Sequence, residues 1–181
     1  MQHLPIWYLG KIDDEICDRA KSELCEMQMQ DASMGIDGEV KISSQRNTDV
    51  VFAPFDFWFS NALEQFAAEA NREAGWDYDI PSREAIQFAR YGVDQHYDWH
   101  VDFFPLSGKD TDRKVTVVCL LNDPSEFEGG EFQIRLYSQY TAPLQKGSVI
   151  AFPSILEHRV TPVTSGFRYS ATMWFHGPRF R

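Results

Sequence analysis

The chain has 181 residues, and its 27 acidic side chains against 17 lysines and arginines give a formal net charge of −10. Hydrophobic residues make up 43% and charged residues 24% of the sequence, which is ordinary for a folded domain and excludes a disordered or collagen-like chain. The acidic balance counts against a nucleic-acid partner, because an acidic chain repels the phosphate backbone.

Neither membrane insertion nor export is predicted. No stretch of the sequence approaches the ~20 consecutive apolar residues of a membrane-spanning helix. Residues 1–5 lack the basic and apolar regions of a signal peptide. The three cysteines, Cys17, Cys25 and Cys119, include no CxxC pair, which argues against a disulfide framework or a zinc knuckle. We therefore expect a cytoplasmic protein with no membrane partner.

Two amphipathic helices are predicted in the first 75 residues, over 13–30 and 56–74. Their apolar side chains recur at helical spacing, namely Ile16, Ala20, Leu24 and Met27 in the first helix and Phe59, Leu63, Phe66, Ala67 and Ala70 in the second. Gly75 is expected to end the second helix. The polar segment 31–50 contains two glycines and is predicted to be a loop or loose hairpin, and it is our candidate for a closing lid.

From Trp76 onward, short apolar runs alternate with turn residues, which is typical of β-structure. Six strands are predicted, over 85–91, 114–121, 130–136, 148–152, 157–161 and 167–175. Helices followed by many short strands indicate an α+β fold in which N-terminal helices support a sandwich or jelly roll. We expect a single domain over 1–181, with a helical part of about 1–75 and a β core of about 76–181.

The segment around residue 100 contains a candidate metal site. In an extended chain, residues two apart project to the same face, so His100 and Asp102 point into one pocket. The pair alone is weak evidence, because His-x-Asp occurs often by chance. His158, far downstream, is a candidate third ligand. Two histidines and one carboxylate with open coordination positions form the facial triad of non-haem Fe(II) oxygenases.

A candidate anion-binding residue follows on the next predicted strand. Arg168 lies ten residues after His158, and Ser170 faces the same side of the strand. A planar, permanently charged guanidinium suits a bidentate carboxylate partner, and the hydroxyl can donate to the same carboxylate. A metal triad beside a buried arginine is a site for an anionic, metal-chelating co-substrate.

Four groups of motifs occur in order over residues 85–178. They are Tyr91 through Asp102, Leu121-Asn122 with Glu128-Gly129-Gly130-Glu131, Gly147-Ser148 with Phe152-Pro153, and Arg168 with Trp174-Phe175-His176. This series resembles the prolyl 4-hydroxylase-like branch of the 2-oxoglutarate- and Fe(II)-dependent dioxygenases. Two positions depart from the family pattern. Arg168 stands where collagen-type members have lysine, and Leu120 stands near the position where some relatives have a tyrosine that helps to hold 2-oxoglutarate.

The resemblance implies a double-stranded β-helix, or jelly-roll, core. It implies Fe(II), 2-oxoglutarate and O2 as the reacting partners, with ascorbate as a reductant. The residues it implies are His100, Asp102 and His158 for the metal, Arg168, Tyr91 and Ser170 for 2-oxoglutarate, and Tyr97, Arg46, Trp174 and His176 for the substrate.

The implied activity is hydroxylation of a C–H bond with release of succinate and CO2. A peptide or protein that contains proline is the first expectation for the substrate. The metal motif does not separate this from a free amino acid, a lysyl residue or another small molecule. A non-enzymatic, cupin-like metal-binding module is the alternative from another class, and the presence of Arg168 beside all three ligands argues against it.

Overall fold

The computed structural model describes residues 6–31, 45–103, 110–143 and 145–180. In chain order, the elements within these ranges are β1 (Tyr8–Lys11), α1 (Asp14–Cys25), β2 (Gln30–Asp31), β3 (Arg46–Asn47), β4 (Asp49–Phe52), α2 (Ser60–Glu73), β5 (Ser82–Arg83), β6 (Gln87–Tyr91), β7 (His96–His100), β8 (Thr111–Leu120), a short 3-10 helix (Pro124–Glu126), β9 (Phe127–Gly129), β10 (Phe132–Arg135), β11 (Gln139–Thr141), β12 (Ser148–Pro153), β13 (Glu157–Val160), β14 (Val163–Gly166) and β15 (Arg168–Pro178).

Two antiparallel sheets dominate the fold. The larger sheet has the strand order β1-β12-β8-β15-β6-β4-β2, and β5 also pairs with β15. The smaller sheet has the order β11-β10-β13-β7-β3, while β9 and β14 form a separate pair. Because neighbouring strands in each sheet are mostly distant in sequence, the chain crosses repeatedly between the two sheets, as in a jelly roll.

The two helices cover the outer face of the larger sheet and form what we call the helix–sheet core. Buried side chains of α1 and α2, such as Leu24 and Leu63, pack against Ala171, Met173 and Phe175 of β15. The helices form here because their apolar residues make one stripe each, and that stripe is buried against the sheet. Fully burying one such leucine or phenylalanine contributes roughly 1.5–3 kcal/mol.

The inner faces of the two sheets enclose a second cluster, which we call the inter-sheet core. Val118 and Ile150 of the larger sheet belong to it together with Phe132, Ile134 and Val160 of the smaller sheet. This layer separates the sheets and shapes the space in which the functional side chains lie.

The predicted helices are present with shifted ends. Helix α1 ends at Cys25, five residues before the predicted end, and the amide of Met27 bonds back to the carbonyl of Leu24 in a tight final turn. Helix α2 ends at Glu73, and Gly75 follows with a φ of 67°. This left-handed conformation favours glycine and ends the helix, as the sequence predicted.

The six predicted strands are also present, and two of them extend three residues beyond the predicted bounds. Strand β8 begins at Thr111 and β15 continues to Pro178, because the two pair along most of their length. The apolar alternation in the sequence covers fewer residues than the strand pairing does, because the additional residues at the start of β8 and the end of β15 are polar or alternate only weakly.

The first 75 residues supply strands as well as helices. Strand β1 pairs with β12, and β4 pairs with β6, so both extend the larger sheet. These strands have four residues each, too few for a clear alternation in the sequence. Residues 32–44 of the predicted lid lie outside the described residues, whereas Arg46–Asn47 form β3 at the edge of the smaller sheet. No helix in the described ranges has the length and apolar character to span a membrane.

Candidate metal centre

Three side chains from two neighbouring strands meet between the sheets. Strand β13 pairs with β7 so that His158 lies opposite His100. Asp102 follows β7 and is fixed by its backbone amide, which donates to the carbonyl of Ser154 at 3.0 Å. The candidate ligand atoms of His100, Asp102 and His158 all lie within 4.8 Å of one another. The structure therefore brings together the three residues that the sequence analysis singled out.

Both imidazole rings are oriented by backbone carbonyls. His100 Nδ1 lies 2.8 Å from the carbonyl oxygen of Asp98, and His158 Nδ1 lies 3.0 Å from that of Leu156. A carbonyl only accepts, so each Nδ1 carries a proton, and each ring is held with its Nε2 toward the other candidate ligands. The Nε2 atoms of His100 and His158 lie 3.7 and 3.3 Å from the carboxylate of Asp102.

The protonation states suit a divalent cation. Burial, together with the neighbouring His158, lowers the pKa of His100 to about 3, so this imidazole is neutral at physiological pH. Burial alone would raise the pKa of Asp102, but the adjacent His158 and His100 outweigh burial and hold the pKa below its usual range. Two imidazole nitrogens and one carboxylate form the donor set of a non-haem Fe(II) site. The residues present thus fit this metal.

Arg168 is a buried cation without an acidic partner. Only 1% of the residue is exposed, and its Nη1 donates to Ser170 Oγ at 3.0 Å. Among the described residues, no carboxylate lies within ion-pair distance of the guanidinium, and its Nε has no hydrogen-bond partner. The aromatic ring of Tyr91 lies beside it, with its centroid 5.5 Å from the guanidinium carbon. Because an unpaired buried charge is costly, this arrangement fits the carboxylate of a bound anion.

The space next to Arg168 has apolar walls. Val118, Leu120, Phe132 and Ile150 line it together with the arginine. Leu120 thus adds no polar group, in keeping with its departure from the family pattern. Gly130 has a φ of 60°, and a Cβ added there would lie 3.0 Å from Arg168 Cδ. A glycine at this turn lets the backbone approach the arginine closely.

A stack of three side chains borders the candidate ligands on one side. The ring of Tyr97 lies on that of His100, with centroids 3.4 Å apart and planes 8° from parallel. The guanidinium of Arg46 lies 4.5 Å from the Tyr97 ring, and its Nη2 donates to Gln87 Oε1 at 2.7 Å. Burial raises the pKa of Tyr97 to about 12, so its hydroxyl stays protonated. The structure thus places Arg46 and Tyr97 together beside the metal centre.

A second group borders the site from β15 and β8. Arg113 covers the ring of Trp174 at 4.0 Å and makes two 2.7 Å hydrogen bonds to Glu84. His176 Nε2 lies 2.6 Å from the same carboxylate, so His176 faces an acidic partner within the protein. Glu84 and Arg113 were not predicted from the sequence. A β-bulge where β8 pairs with β15 shifts Arg113 out of simple alternation. The available sequence signal was that Arg113 comes directly before the predicted strand 114–121.

Comparison with known sequences identifies the family. A model of the 2OG-Fe(II) oxygenase superfamily matches residues 86–176, about half of the chain. A PKHD-type hydroxylase of Picosynechococcus sp. is 40% identical over 90 residues, which cover 49% of this chain and 40% of that protein. Another from Nitrosomonas europaea is 38% identical over 93 residues, covering 48% and 41%. The matched part of the chain thus spans less than half the length of these curated relatives.

Solved structures share the fold over nearly the whole chain. A prolyl-4-hydroxylase of Pseudomonas putida has a TM-score of 0.76 and 20% identity, covering 95% of this chain and 93% of that chain. The viral collagen prolyl hydroxylase of Paramecium Bursaria Chlorella virus-1, solved as a 2OG complex, has a TM-score of 0.74 and 21% identity, covering 96% and 97%. At this identity, the likeness confirms the predicted α+β jelly-roll fold.

Proposed function

The chain belongs to the 2OG-Fe(II) oxygenase superfamily, and on this basis we propose that it is a 2-oxoglutarate- and Fe(II)-dependent dioxygenase that hydroxylates peptidyl proline. The observation that carries the proposal is the buried guanidinium of Arg168, which has no acidic partner among the described residues. Phe132 lines the space beside this guanidinium and also contacts His158, one of the three convergent candidate metal ligands. A metal-binding module has no need for an unpaired buried cation, whereas an enzyme that binds a chelating diacid does.

The residues divide into metal, co-substrate and substrate groups. His100, Asp102 and His158 would hold Fe(II), while Arg168 and Ser170 would hold the distal carboxylate of 2-oxoglutarate. When bound, these groups supply the oxidising chemistry, in which O2 and 2-oxoglutarate yield succinate, CO2 and one oxygen atom inserted into a substrate C–H bond.

The protein's own contribution is orientation and the exclusion of water. Backbone carbonyls fix both imidazole rings, and the guanidinium fixes the register of the diacid because its planar fork matches a carboxylate. Asp102 and His158 are each 4% exposed, so few water molecules reach the ligands. A dry site protects reactive chemistry from side reactions.

The substrate side supports proline as the target. Tyr97 and Trp174 give the border of the site an aromatic, uncharged character that suits a rigid, uncharged ring. Arg46 and Arg113 lie over these rings and can donate to the carbonyl groups of a peptide. The names of the two structural neighbours, a prolyl-4-hydroxylase and a collagen prolyl hydroxylase, favour the same substrate class.

A peptide panel tests the proposal. The protein is loaded anaerobically with Fe(II) and 2-oxoglutarate, exposed to O2 with each peptide, and the products are weighed by mass spectrometry. We expect a gain of about 16 Da, one oxygen atom, on a proline-containing peptide and none on the matched peptide with alanine in place of proline.

Two other results would redirect the proposal. Oxygen insertion into free amino acids, lysyl peptides or other small molecules, with the proline peptides unchanged, would keep the dioxygenase and replace the substrate. No 2-oxoglutarate turnover with any compound would remove the enzymatic reading. Parallel reactions with and without ascorbate test its proposed role as a reductant. We expect 2-oxoglutarate turnover to last longer when ascorbate is present.

A further inference from the structure

Two fully buried hydroxyl groups lie directly behind the candidate carboxylate ligand. Thr116 belongs to β8, and Ser154 follows β12, so they come from neighbouring strands of the larger sheet. Both residues have no exposed surface. Thr116 Oγ1 lies 2.9 Å from Asp102 Oδ2 and 2.9 Å from Ser154 Oγ, which makes a continuous chain of three polar groups.

The chemistry of the three groups fixes the direction of these hydrogen bonds. An ionised carboxylate only accepts, so the single hydroxyl proton of Thr116 is donated to Asp102 Oδ2. Thr116 then has no proton left for Ser154, and the hydroxyl of Ser154 must donate to Thr116 Oγ1. The Ser154 hydroxyl therefore orients the Thr116 hydroxyl, and the Thr116 hydroxyl orients the Asp102 carboxylate.

Backbone hydrogen bonds attach this chain of groups to the sheet. The amide of Asp102 donates to the carbonyl of Ser154, and the amide of Ser154 donates to the carbonyl of Lys114, both at 3.0 Å. The backbone and the carboxylate of Asp102 are thus tied to the same two strands, which restricts rotation of the carboxylate.

We propose that Thr116 and Ser154 are positioning residues that fix the orientation of the Asp102 carboxylate beside the two imidazoles. The hydrogen bond from Thr116 to Oδ2 restricts rotation of the carboxylate, so that both oxygens keep their places relative to His100 and His158. The inference rests on the proposed function only in that the site binds a divalent metal. Neither hydroxyl touches substrate, so both act through the carboxylate, and hydrogen bonds of this kind commonly change metal affinity by about 10–100-fold.

Anaerobic Co(II) titration tests the inference without any turnover. Affinity is measured together with the ligand-field absorption spectrum of the bound Co(II), which reports the ligand arrangement. Thr116→Val is compared with Thr48→Val, a buried threonine that donates to the carbonyl of Arg90 away from the metal. Ser154→Ala is compared with Ser60→Ala, a buried serine on α2 whose hydroxyl has no hydrogen-bond partner in the described part of the chain.

We expect Thr116→Val to weaken Co(II) binding by about tenfold or more and to alter the spectrum, and Ser154→Ala to do the same to a smaller extent. Thr116→Ser, which keeps the hydroxyl, should retain the wild-type spectrum. Both control variants should bind Co(II) like the wild type, because they remove hydroxyls that do not reach Asp102.

Unchanged affinity and spectrum in Thr116→Val would overturn the inference. If that variant does not fold, Ser154→Ala carries the test by the same two readouts. A wild-type protein that binds Co(II) but never converts 2-oxoglutarate would count against the proposed function alone, since the titration needs no reaction.

Discussion

The two cores on either side of the larger sheet differ in what they bury. In the helix–sheet core, the clustered side chains are apolar, and the alternate residues Ala171, Met173 and Phe175 of β15 face it. On the opposite face of the same strand, Arg168 and Ser170 are buried, and Phe132 lies between this face and His158 of the metal centre, since it lines the space beside Arg168 and its ring centroid is 5.8 Å from that of His158. One strand thus contributes to stability on one face and to chemistry on the other.

This difference shows where polar burial is functional. Buried polar groups need partners, and in the inter-sheet region some are paired with one another, as Thr116 is with Asp102. Others, such as Arg168 Nε, have no partner in the part of the chain that the structure describes. A buried charge of the second kind indicates a ligand, because an unpaired charge costs far more than an unpaired hydroxyl. The two cores therefore differ in which substitutions should affect the reaction and which should affect folding.

The largest expected effect comes from removing a candidate metal ligand. Asp102→Ala should lower 2-oxoglutarate turnover below detection, because the carboxylate is the only anionic member of the donor set. Metal content of the purified protein, measured by elemental analysis, should fall with it. The exposed Asp56→Ala serves as a control and should change neither quantity. Full turnover in Asp102→Ala would break the assignment of chemistry to the inter-sheet region.

Replacing the unpaired cation should separate function from stability. Arg168→Met should raise the concentration of 2-oxoglutarate needed for half-maximal rate by about 30-fold or more, since breaking a buried charge pair costs about 2–5 kcal/mol. The same variant without ligand should unfold at an equal or higher temperature, because a buried charge without partner is removed.

Calorimetry and steady-state kinetics check the two halves of this prediction. Arg72→Met, at a side chain that is 70% exposed, is the matched control. An unchanged 2-oxoglutarate requirement in Arg168→Met would remove the co-substrate role of the guanidinium.

A substitution in the helix–sheet core should lower stability and leave the 2-oxoglutarate requirement unchanged, the opposite of Arg168→Met. Met173 has no exposed surface, and Met173→Ala should lower the free energy of unfolding by about 2–5 kcal/mol through the cavity it leaves. The folded variant should keep the wild-type requirement for 2-oxoglutarate. Urea unfolding and kinetics at low temperature test this prediction. A large change in the 2-oxoglutarate requirement with little loss of stability would contradict the assignment of stability to the helix–sheet core and of co-substrate binding to the inter-sheet region.

The smallest effect concerns pH. The pKa of His100 is lowered to about 3 in the folded protein, against 6.5 for an unperturbed histidine. Between these values the unfolded chain binds the extra proton, so stability falls as pH decreases, with a slope of about 1 kcal/mol per pH unit. Urea unfolding of metal-free protein at pH 6.5 and 5 should show this fall, and His100→Ala should show a smaller one. Equal slopes would mean that His100 is not held neutral by burial.

The sequence predicted the residues whose spacing reflects strand geometry. His100 and Asp102 lie two apart in an extended segment, as do Arg168 and Ser170, so alternation alone brings each pair together. Strand alternation could not predict the distance between Arg168 and the metal ligands, because that distance depends on how the two sheets face each other.

The residues that were missed lack such a local signal. Glu84 and Arg113 are 29 residues apart and meet because β5, which ends just before Glu84, and β8 both pair with β15. The bulge in β8 hides the orientation of Arg113. Strand β1 was missed because four residues at the edge of a sheet, with Leu9 exposed, do not alternate clearly. Long-range pairing decided these features, and a single sequence does not encode it in any short window.

Conversion of 2-oxoglutarate to succinate shows whether Asp102 and Arg168 belong to one catalytic site. Wild type, Asp102→Ala and Arg168→Met are each incubated with Fe(II), 2-oxoglutarate and O2, and succinate is quantified by mass spectrometry. We expect succinate from the wild type, none from Asp102→Ala, and formation by Arg168→Met only at much higher 2-oxoglutarate concentration. Equal succinate from all three proteins, or none from the wild type, would contradict the assignment of catalysis to these residues.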